Sequence, residues 1–149
     1  MINKIDFLLH LKEIVSLRIS EIDKDIKAAI TDRNNDSKST AGDKHETSRA
    51  LAEIEINKLK LQMSMSQKSL ELLNKIDASK KSQQVAFGAI VECQNANYFI
   101  SIGLGKIEYQ NQSIYCISLA SDLGKTMATK QKGESFTFNT NTITIQDLY

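Results

Sequence analysis

The spacing of the apolar residues changes near the middle of the chain. Through the first half they recur at intervals of three or four residues, which is the period of an α-helix. After a polar link at residues 78–84 they recur at every second position, which is the period of a β-strand. We therefore predict an α+β protein with a coiled-coil hairpin over residues 1–79 and a β domain over residues 80–149.

Two long amphipathic helices are predicted in the first half. Each has one apolar stripe with charged residues between its members. Between them, residues 32–42 are polar and rich in turn formers, so the chain should reverse and pack the stripes into an antiparallel coiled coil. The first stripe comprises Leu8, Leu11, Val15, Ile19, Ile22, Ile26 and Ala29; the second comprises Leu51, Ile54, Leu61, Met65, Leu72 and Ile76.

The second half predicts a small antiparallel sheet. One short helix is expected over residues 121–128, with Ser121 or Asp122 as its N-cap. Because about 65 residues is near the lower limit for an independent core, the sheet should pack on the base of the hairpin. The alternating runs are Val85, Phe87, Ala89 and Val91, then Tyr98, Ile100, Ile102 and Leu104, then Phe136 and Phe138, and finally Ile143 and Ile145.

Composition excludes several classes of protein. A formal net charge of +1 gives no electrostatic basis for direct nucleic-acid binding, so any such contact should be indirect. No apolar run approaches the roughly 20 residues of a membrane span, and the start of the chain lacks a signal-peptide core. Cys93 and Cys116 lack metal-binding spacing and should be buried thiols. We expect a cytoplasmic monomer without membrane association.

The step Gly42-Asp43-Lys44-His45-Glu46 stands where the second helix should begin. Asp43 with Glu46 three residues later is a variant of the capping box, in which both side chains satisfy free amides at the helix start. At the tip of a hairpin near residues 36–46, the same carboxylates could instead act on something outside the protein. Both interpretations stay open on the residues alone.

A longer pattern lies near the C-terminus. Residues 117–134 read I-S-L-A-S-D-L-G-K-T-M-A-T-K-Q-K-G-E. This run resembles the C-terminal signature of the Gre-type transcript cleavage factors, I-S-x-x-S-P-L-G-R-A-L-L-G-K-x-x-G-D. Upstream, Gly42-Asp43-x-x-Glu46 is similar to the start of the family's tip motif, G-D-L-S-E-N-A-E-Y, at the same place between two coiled-coil arms.

The resemblance implies a specific partner and activity. Gre factors insert their coiled coil into the secondary channel of bacterial RNA polymerase, while an FKBP-like C-terminal domain docks at the channel rim. The tip carboxylates help the polymerase's own aspartates hold a second Mg²⁺ and its water, and a backtracked transcript is then hydrolysed. The chain would thus be an accessory factor and not an enzyme, with no cofactor beyond this shared Mg²⁺.

The resemblance also assigns the candidate site residues. By position, Asp43 would be the Mg²⁺ ligand and catalytic residue, and Glu46 a second ligand or the group that orients the water. The positions at the family's docking loop, which would contact the polymerase, are Ser118, Ser121, Asp122, Leu123, Gly124, Lys125 and Lys130.

Departures from the family pattern keep a second function open. Lys44 and His45 replace a leucine and a serine of the tip motif, Arg49 and Ala50 replace its second glutamate and its aromatic residue, and Asp122 replaces a proline. The added positive charge opposes metal capture. A factor that binds the channel without cleavage would be an inhibitor or regulator of the polymerase.

Other classes have less support. An FKBP-like prolyl isomerase or chaperone module would need an apolar pocket ringed by aromatic residues, and Tyr98, Phe99, Tyr109 and Tyr115 show no such concentrated pattern. A stand-alone hydrolase would need a nucleophile elbow, which is missing. A plain coiled-coil interaction protein is the remaining alternative.

Overall fold

The structure of the chain, a computed structural model, describes residues 1–36 and 42–149, apart from the side chains of Asp36, Asp43 and His45. A long helical hairpin is followed by a six-stranded sheet with one short helix, which confirms the predicted α+β class. The chain divides into two compact units. We call Lys12–Glu71 the shaft, and Met1–Leu11 with Leu72–Tyr149 the sheet unit. The predicted domain boundary at residues 79 and 80 stays a prediction.

Helix α1, Lys4–Asp36, begins next to an asparagine cap. The Oδ1 of Asn3 accepts hydrogen bonds from the backbone N–H groups of Ile5 and Asp6 at 3.1 and 3.2 Å. Such a cap satisfies donors that a helix end otherwise leaves free. The predicted stripe of α1 is confirmed: Leu8, Leu11, Val15 and Ile22 are buried, and Ile19, Ile26 and Ala29 are partly buried.

Helix α2, Gly42–Asn74, runs antiparallel to α1 in the shaft. Near the end of α1, the Nη1 of Arg33 lies 2.6 Å from the Oε1 of Glu53, which is near the beginning of α2. Both side chains are partly exposed, so this ion pair contributes at most about 1 kcal/mol. The ion pair links the C-terminal part of α1 to the N-terminal part of α2.

The inner face of α2 differs from the predicted one. Four members of the predicted stripe are exposed, at 62% for Leu51, 64% for Ile54, 63% for Leu61 and 63% for Met65. The prediction that they form the shaft core is therefore wrong, although Leu72 is partly buried and Ile76 is buried. The inner face instead comprises Ala52, Ile56, Leu59, Met63 and Ser66, all of them buried or partly buried.

The error has a geometric cause. Helix α2 carries two sets of residues with the same seven-residue period, roughly 150° apart at about 100° per residue. Residues seven apart share a face, so Ser66, Leu59 and Ala52 lie on the same side of α2 as Leu73. Leu73 is fully buried. The inner face of α2 therefore lies on the same side of the helix as the buried Leu73 near its C-terminal end.

The sheet has the strand order β3-β4-β2-β1-β6-β5. All neighbouring strands are antiparallel except β2 and β4, which are parallel, so the sheet is mostly antiparallel, as predicted, and departs from the prediction at this pair. Strand β3 lies between these two in sequence and forms one edge. The strands are β1 (Ile90–Cys93), β2 (Asn97–Ile100), β3 (Gly105–Tyr109), β4 (Gln112–Ile117), β5 (Ser135–Phe138) and β6 (Asn141–Leu148).

Two hairpin turns lack the usual glycine. Gln110 and Asn111 join β3 to β4 with φ of 48° and 60°, and Asn139 and Thr140 join β5 to β6 with φ of 48° and 68°. Two-residue loops with both residues at positive φ are type I′ turns, whose twist matches that of the strands. Strand β3 is not among the predicted strands, because its only apolar side chains are Ile107 and Tyr109.

The predicted first strand begins too early. The Val85 N–H donates to the Lys130 carbonyl at 2.8 Å, and the Val85 carbonyl accepts from the Thr129 N–H at 3.0 Å. Gly88 has a φ of +88°, and a side chain there would approach Ile76 at 3.1 Å. This turn breaks the extended backbone, so the ladder starts only at Ile90.

Apolar residues are buried around both faces of the sheet. One cluster combines strand residues such as Val91 and Ile100 with Met127 of helix α3 (Asp122–Met127). Phe99 points to the opposite face from its neighbours. The ring centroid of Phe7 lies 5.6 Å from that of Phe99 and 5.1 Å from that of Tyr109. The prediction that the sheet packs on the base of the hairpin is confirmed.

We predict that Phe7→Ala lowers the free energy of unfolding by about 3 kcal/mol, because Phe7 is fully buried and its loss leaves a cavity. Urea unfolding followed by circular dichroism measures this. Leu17→Ala is the matched control, since Leu17 is 62% exposed and should change stability by no more than about 0.5 kcal/mol. Equal effects of the two changes would contradict the packing described.

Both cysteines are free and buried, as predicted. Burial raises the pKa of Cys93 to about 11 and that of Cys116 to about 12. Because the thiolate is the nucleophile, iodoacetamide at pH 8 should modify the folded chain roughly a hundredfold more slowly than the urea-unfolded chain. Stability should fall as pH rises above the ordinary thiol pKa, since only the unfolded thiols ionise there. Rapid labelling of the folded chain would contradict this.

Candidate functional site

The tip motif stands at the start of α2, as the sequence predicts. Gly42 has a φ of +46°, which glycine adopts without strain. Glu46 is exposed within the first turns of the helix, and Lys44 and Arg49 are exposed on either side of it in sequence. The side chain of Asp43 lies outside the described residues, so its predicted roles as helix cap, catalytic residue and Mg²⁺ ligand stay predictions.

The docking-loop motif forms a compact turn into α3. Ser121 is the N-cap, and its Oγ accepts from the Gly124 N–H at 3.0 Å, which confirms the predicted cap. The same hydroxyl donates to the Ser118 carbonyl at 2.6 Å. The Ser118 Oγ accepts from the Ala120 N–H at 3.1 Å. Both serines are thus committed to the backbone of their own turn.

Gly124 is required by close packing. A Cβ on this residue would lie 2.1 Å from the Ser118 carbonyl oxygen and 2.9 Å from the Leu119 Cα. Neither atom can move without breaking the turn, because the Ser118 carbonyl already accepts from Ser121. The glycine of the motif is therefore explained by the fold.

Few of the predicted docking residues face outward. Asp122 and Lys125 are exposed, and Lys130 is partly exposed. Leu123 packs against the buried cluster around Met127. Lys130 lies five residues beyond Lys125 and is, like Ser118 and Ser121, only partly exposed, so Asp122 and Lys125 are the exposed charges that a partner could contact.

The end of the motif is a second self-contained turn. The Gln131 N–H donates to the Oε2 of Glu134 at 2.6 Å, and the Glu134 N–H donates to the Gln131 carbonyl at 3.0 Å. Lys132 lies 2.9 Å from the Oδ1 of Asp147. The hydrogen bond from Lys132 lowers the pKa of Asp147. Sequence reasoning missed this ion pair because the two residues are distant in the chain.

A cavity of about 500 Å³ lies in the sheet unit, beside the first turn of α1. Its wall includes Lys4, which is buried and donates from Nζ to the Lys80 carbonyl at 2.8 Å. Burial lowers the pKa of Lys4, and the negative charge of Asp77 opposes that shift. This lysine is therefore accommodated by the fold itself.

The aromatic residues do not form one pocket. Phe99 and Tyr109 pack on Phe7, and the His10 ring lies 5.1 Å from that of Tyr109. Tyr98 instead pairs with Tyr115 at 5.9 Å. An isomerase of the FKBP type would need such residues together around an open pocket.

The described part of the chain contains neither a metal cluster nor a membrane-spanning helix. No three side chains of His, Cys, Asp and Glu among these residues converge as a metal cluster. No described helix is long and apolar enough to cross a membrane.

Comparisons with known proteins give little. No protein-family model matches the chain, and no curated protein matches it. Among solved structures, the chain is similar to that of the transcription factor Gfh1, with a TM-score of 0.36 and 14% identity over 93% of this chain and 92% of that one. A likeness at this TM-score does not bear on function.

We predict that Gly124→Ala lowers the free energy of unfolding by about 2 kcal/mol, because the new methyl group overlaps the Ser118 carbonyl. Thermal unfolding measures it. Gly103→Ala is the matched control, since a Cβ there meets nothing within 4 Å and should change stability by about 0.5 kcal/mol or less. A tolerated Gly124→Ala would show that the turn is not held as described.

Proposed function

We propose that this chain is a Gre-like transcription elongation factor that binds bacterial RNA polymerase and inserts its hairpin into the secondary channel. It promotes cleavage of backtracked RNA there. The observation that carries the proposal is the start of α2 at Gly42, with Glu46 exposed in its first turns. An acidic group at this end of the second helix is what the resemblance to the Gre tip motif requires.

The chemistry proposed for the tip uses two carboxylates. Mg²⁺ prefers hard oxygen ligands, and Asp43 and Glu46 supply them. When bound, the metal supplies an activated water for phosphodiester hydrolysis. Asp43 would hold the ion, and Glu46 would be a second ligand or orient the water.

Docking at the channel rim is proposed for the turn into α3. Asp122 and Lys125 are its exposed charges, while Ser118, Ser121 and Gly124 shape the turn that presents them. The chain would act as a monomer and as an accessory to the polymerase's own activity. It would contact nucleic acid only within that complex, in keeping with a net charge of +1.

A second function, inhibition without cleavage, is favoured by the charges around Glu46. Lys44 and Arg49 are both exposed, and Arg49 follows Glu46 by three residues, which places them on one side of the helix. A positive side chain one helical turn from Glu46 competes with a metal ion for its carboxylate. A chain that occupies the channel with a neutralised tip would lengthen pauses instead of relieving them.

We predict that Asp43→Asn and Glu46→Gln each reduce factor-stimulated cleavage by on the order of tenfold or more, with polymerase binding unchanged. The amides keep the size of the side chains and lose the charge that holds Mg²⁺. RNA lengths from a deliberately backtracked complex measure cleavage. Glu55→Gln is the matched control, because Glu55 is also exposed on α2.

Each alternative has its own result in this assay. If wild-type chain binds the polymerase, lengthens pauses and responds to neither tip substitution, the channel-inhibitor function replaces cleavage. If both substitutions cost only about 1 kcal/mol of stability without changing RNA length, the carboxylates are helix caps. A chain that does not bind the polymerase overturns both proposals.

A further inference from the structure

Helix α2 carries an apolar surface that none of the described residues of the shaft covers. We call it the outer stripe, and it comprises Leu51, Ile54, Lys58, Leu61, Met65 and Lys68, all of them exposed. Its four apolar members are each more exposed than buried, at 62% to 64%. Single exposed apolar residues are ordinary, whereas a contiguous line of them marks an interaction surface.

The spacing of the outer stripe selects a helical partner. Its members are separated alternately by three and four residues, which is the seam of a coiled coil, two positions in every seven. A helix that packs on a globular core shows a broader apolar face. Because Ile56 and Leu59 on the nearly opposite face are already buried, the outer stripe is free to receive a second helix.

The charges of the outer stripe select the chemistry of that helix. Lys58 and Lys68 lie in the seam, and the seam contains no carboxylate. They are separated by about 15 Å along α2 at about 1.5 Å per residue. A second copy of the stripe would place lysines against lysines or leucines, with no carboxylate at the facing seam positions. A helix with acidic residues at the facing positions would do so.

A lipid surface is a poorer fit for the same stripe. Interfacial helices combine a wide apolar face with aromatic anchors, whereas this stripe is narrow and contains no aromatic residue. The geometry favours a protein helix.

We propose that the outer stripe of α2 binds an amphipathic helix of another protein, whose apolar residues pack on Leu51, Ile54, Leu61 and Met65 and whose acidic residues pair with Lys58 and Lys68. This inference does not rest on the proposed transcription function. A partner helix can bind here whether or not the tip acts within RNA polymerase.

The test uses the full chain and two synthetic helical peptides of about four heptads with leucine at the seam positions. One peptide has glutamate, and the other lysine, at the two positions that face Lys58 and Lys68. Fluorescence anisotropy should give at least about tenfold tighter binding of the acidic peptide, because like charges in a seam repel. The wild-type chain needs no substitution for this comparison, so folding cannot confound it.

Variants then locate the site. Leu61→Ser should weaken binding of the acidic peptide about tenfold or more, and Lys58→Glu with Lys68→Glu should reverse the preference between the peptides. Leu17→Ser is the matched control, because Leu17 is equally exposed on α1 and lies outside the stripe. Circular dichroism should show unchanged helix content in each variant.

Four results would overturn the proposal. Equal binding of the two peptides would show that the partner helix need not be acidic. Binding that Leu17→Ser weakens as much as Leu61→Ser would show that the peptide does not bind at the outer stripe. Sedimentation equilibrium showing a dimer that Leu61→Ser dissociates would assign the stripe to a second copy. Binding to phosphatidylglycerol vesicles with no binding of either peptide would assign it to a lipid surface.

Discussion

The packing of Phe7 on the sheet is the contact on which the C-terminal half depends. Phe7 is fully buried between Phe99 and Tyr109. The strand region alone is close to the size below which a single core rarely suffices, so its second face needs cover from outside. The chain provides that cover from the first turns of α1. Functional tests of the C-terminal half therefore need the full chain, since a fragment beginning near residue 80 would expose Phe99.

The residues that resemble the Gre signature serve the fold more than an outer surface. Ser118, Ser121 and Gly124 build one tight turn, and Glu134 closes another. A resemblance made of such residues supports a shared local structure first. Any contact with a polymerase must come from side chains that do not themselves hold this turn together, of which Asp122 and Lys125 are the exposed ones. The functional proposal therefore rests on a small number of charges and on the tip.

Sequence patterns predicted the helices and strands better than they predicted which elements pack or pair with one another. Both long helices, the stripe of α1 and the short helix with its Ser121 cap follow from local rules that act within a few residues. The inner face of α2 does not, because two stripes with the same period compete and only contacts distant in sequence choose between them. The parallel pairing of β2 with β4 and the ion pair of Lys132 with Asp147 are likewise set by tertiary structure. For the candidate site, the sequence predicted that the tip motif stands at the start of α2. The proposed roles of its carboxylates depend on Mg²⁺ and on aspartates of the polymerase, which this chain does not contain.

The central claim, that the tip works inside RNA polymerase, is tested most directly by photo-crosslinking from position 46. A benzophenone side chain replaces Glu46 in the chain of residues 1–149, which is irradiated with core bacterial polymerase. The same probe in place of Leu17 serves as a reference on the shaft. The account predicts a crosslink from position 46 that maps next to the polymerase's catalytic aspartates. Binding to the polymerase with crosslinks only to its outer surface, or no binding at all, would contradict it.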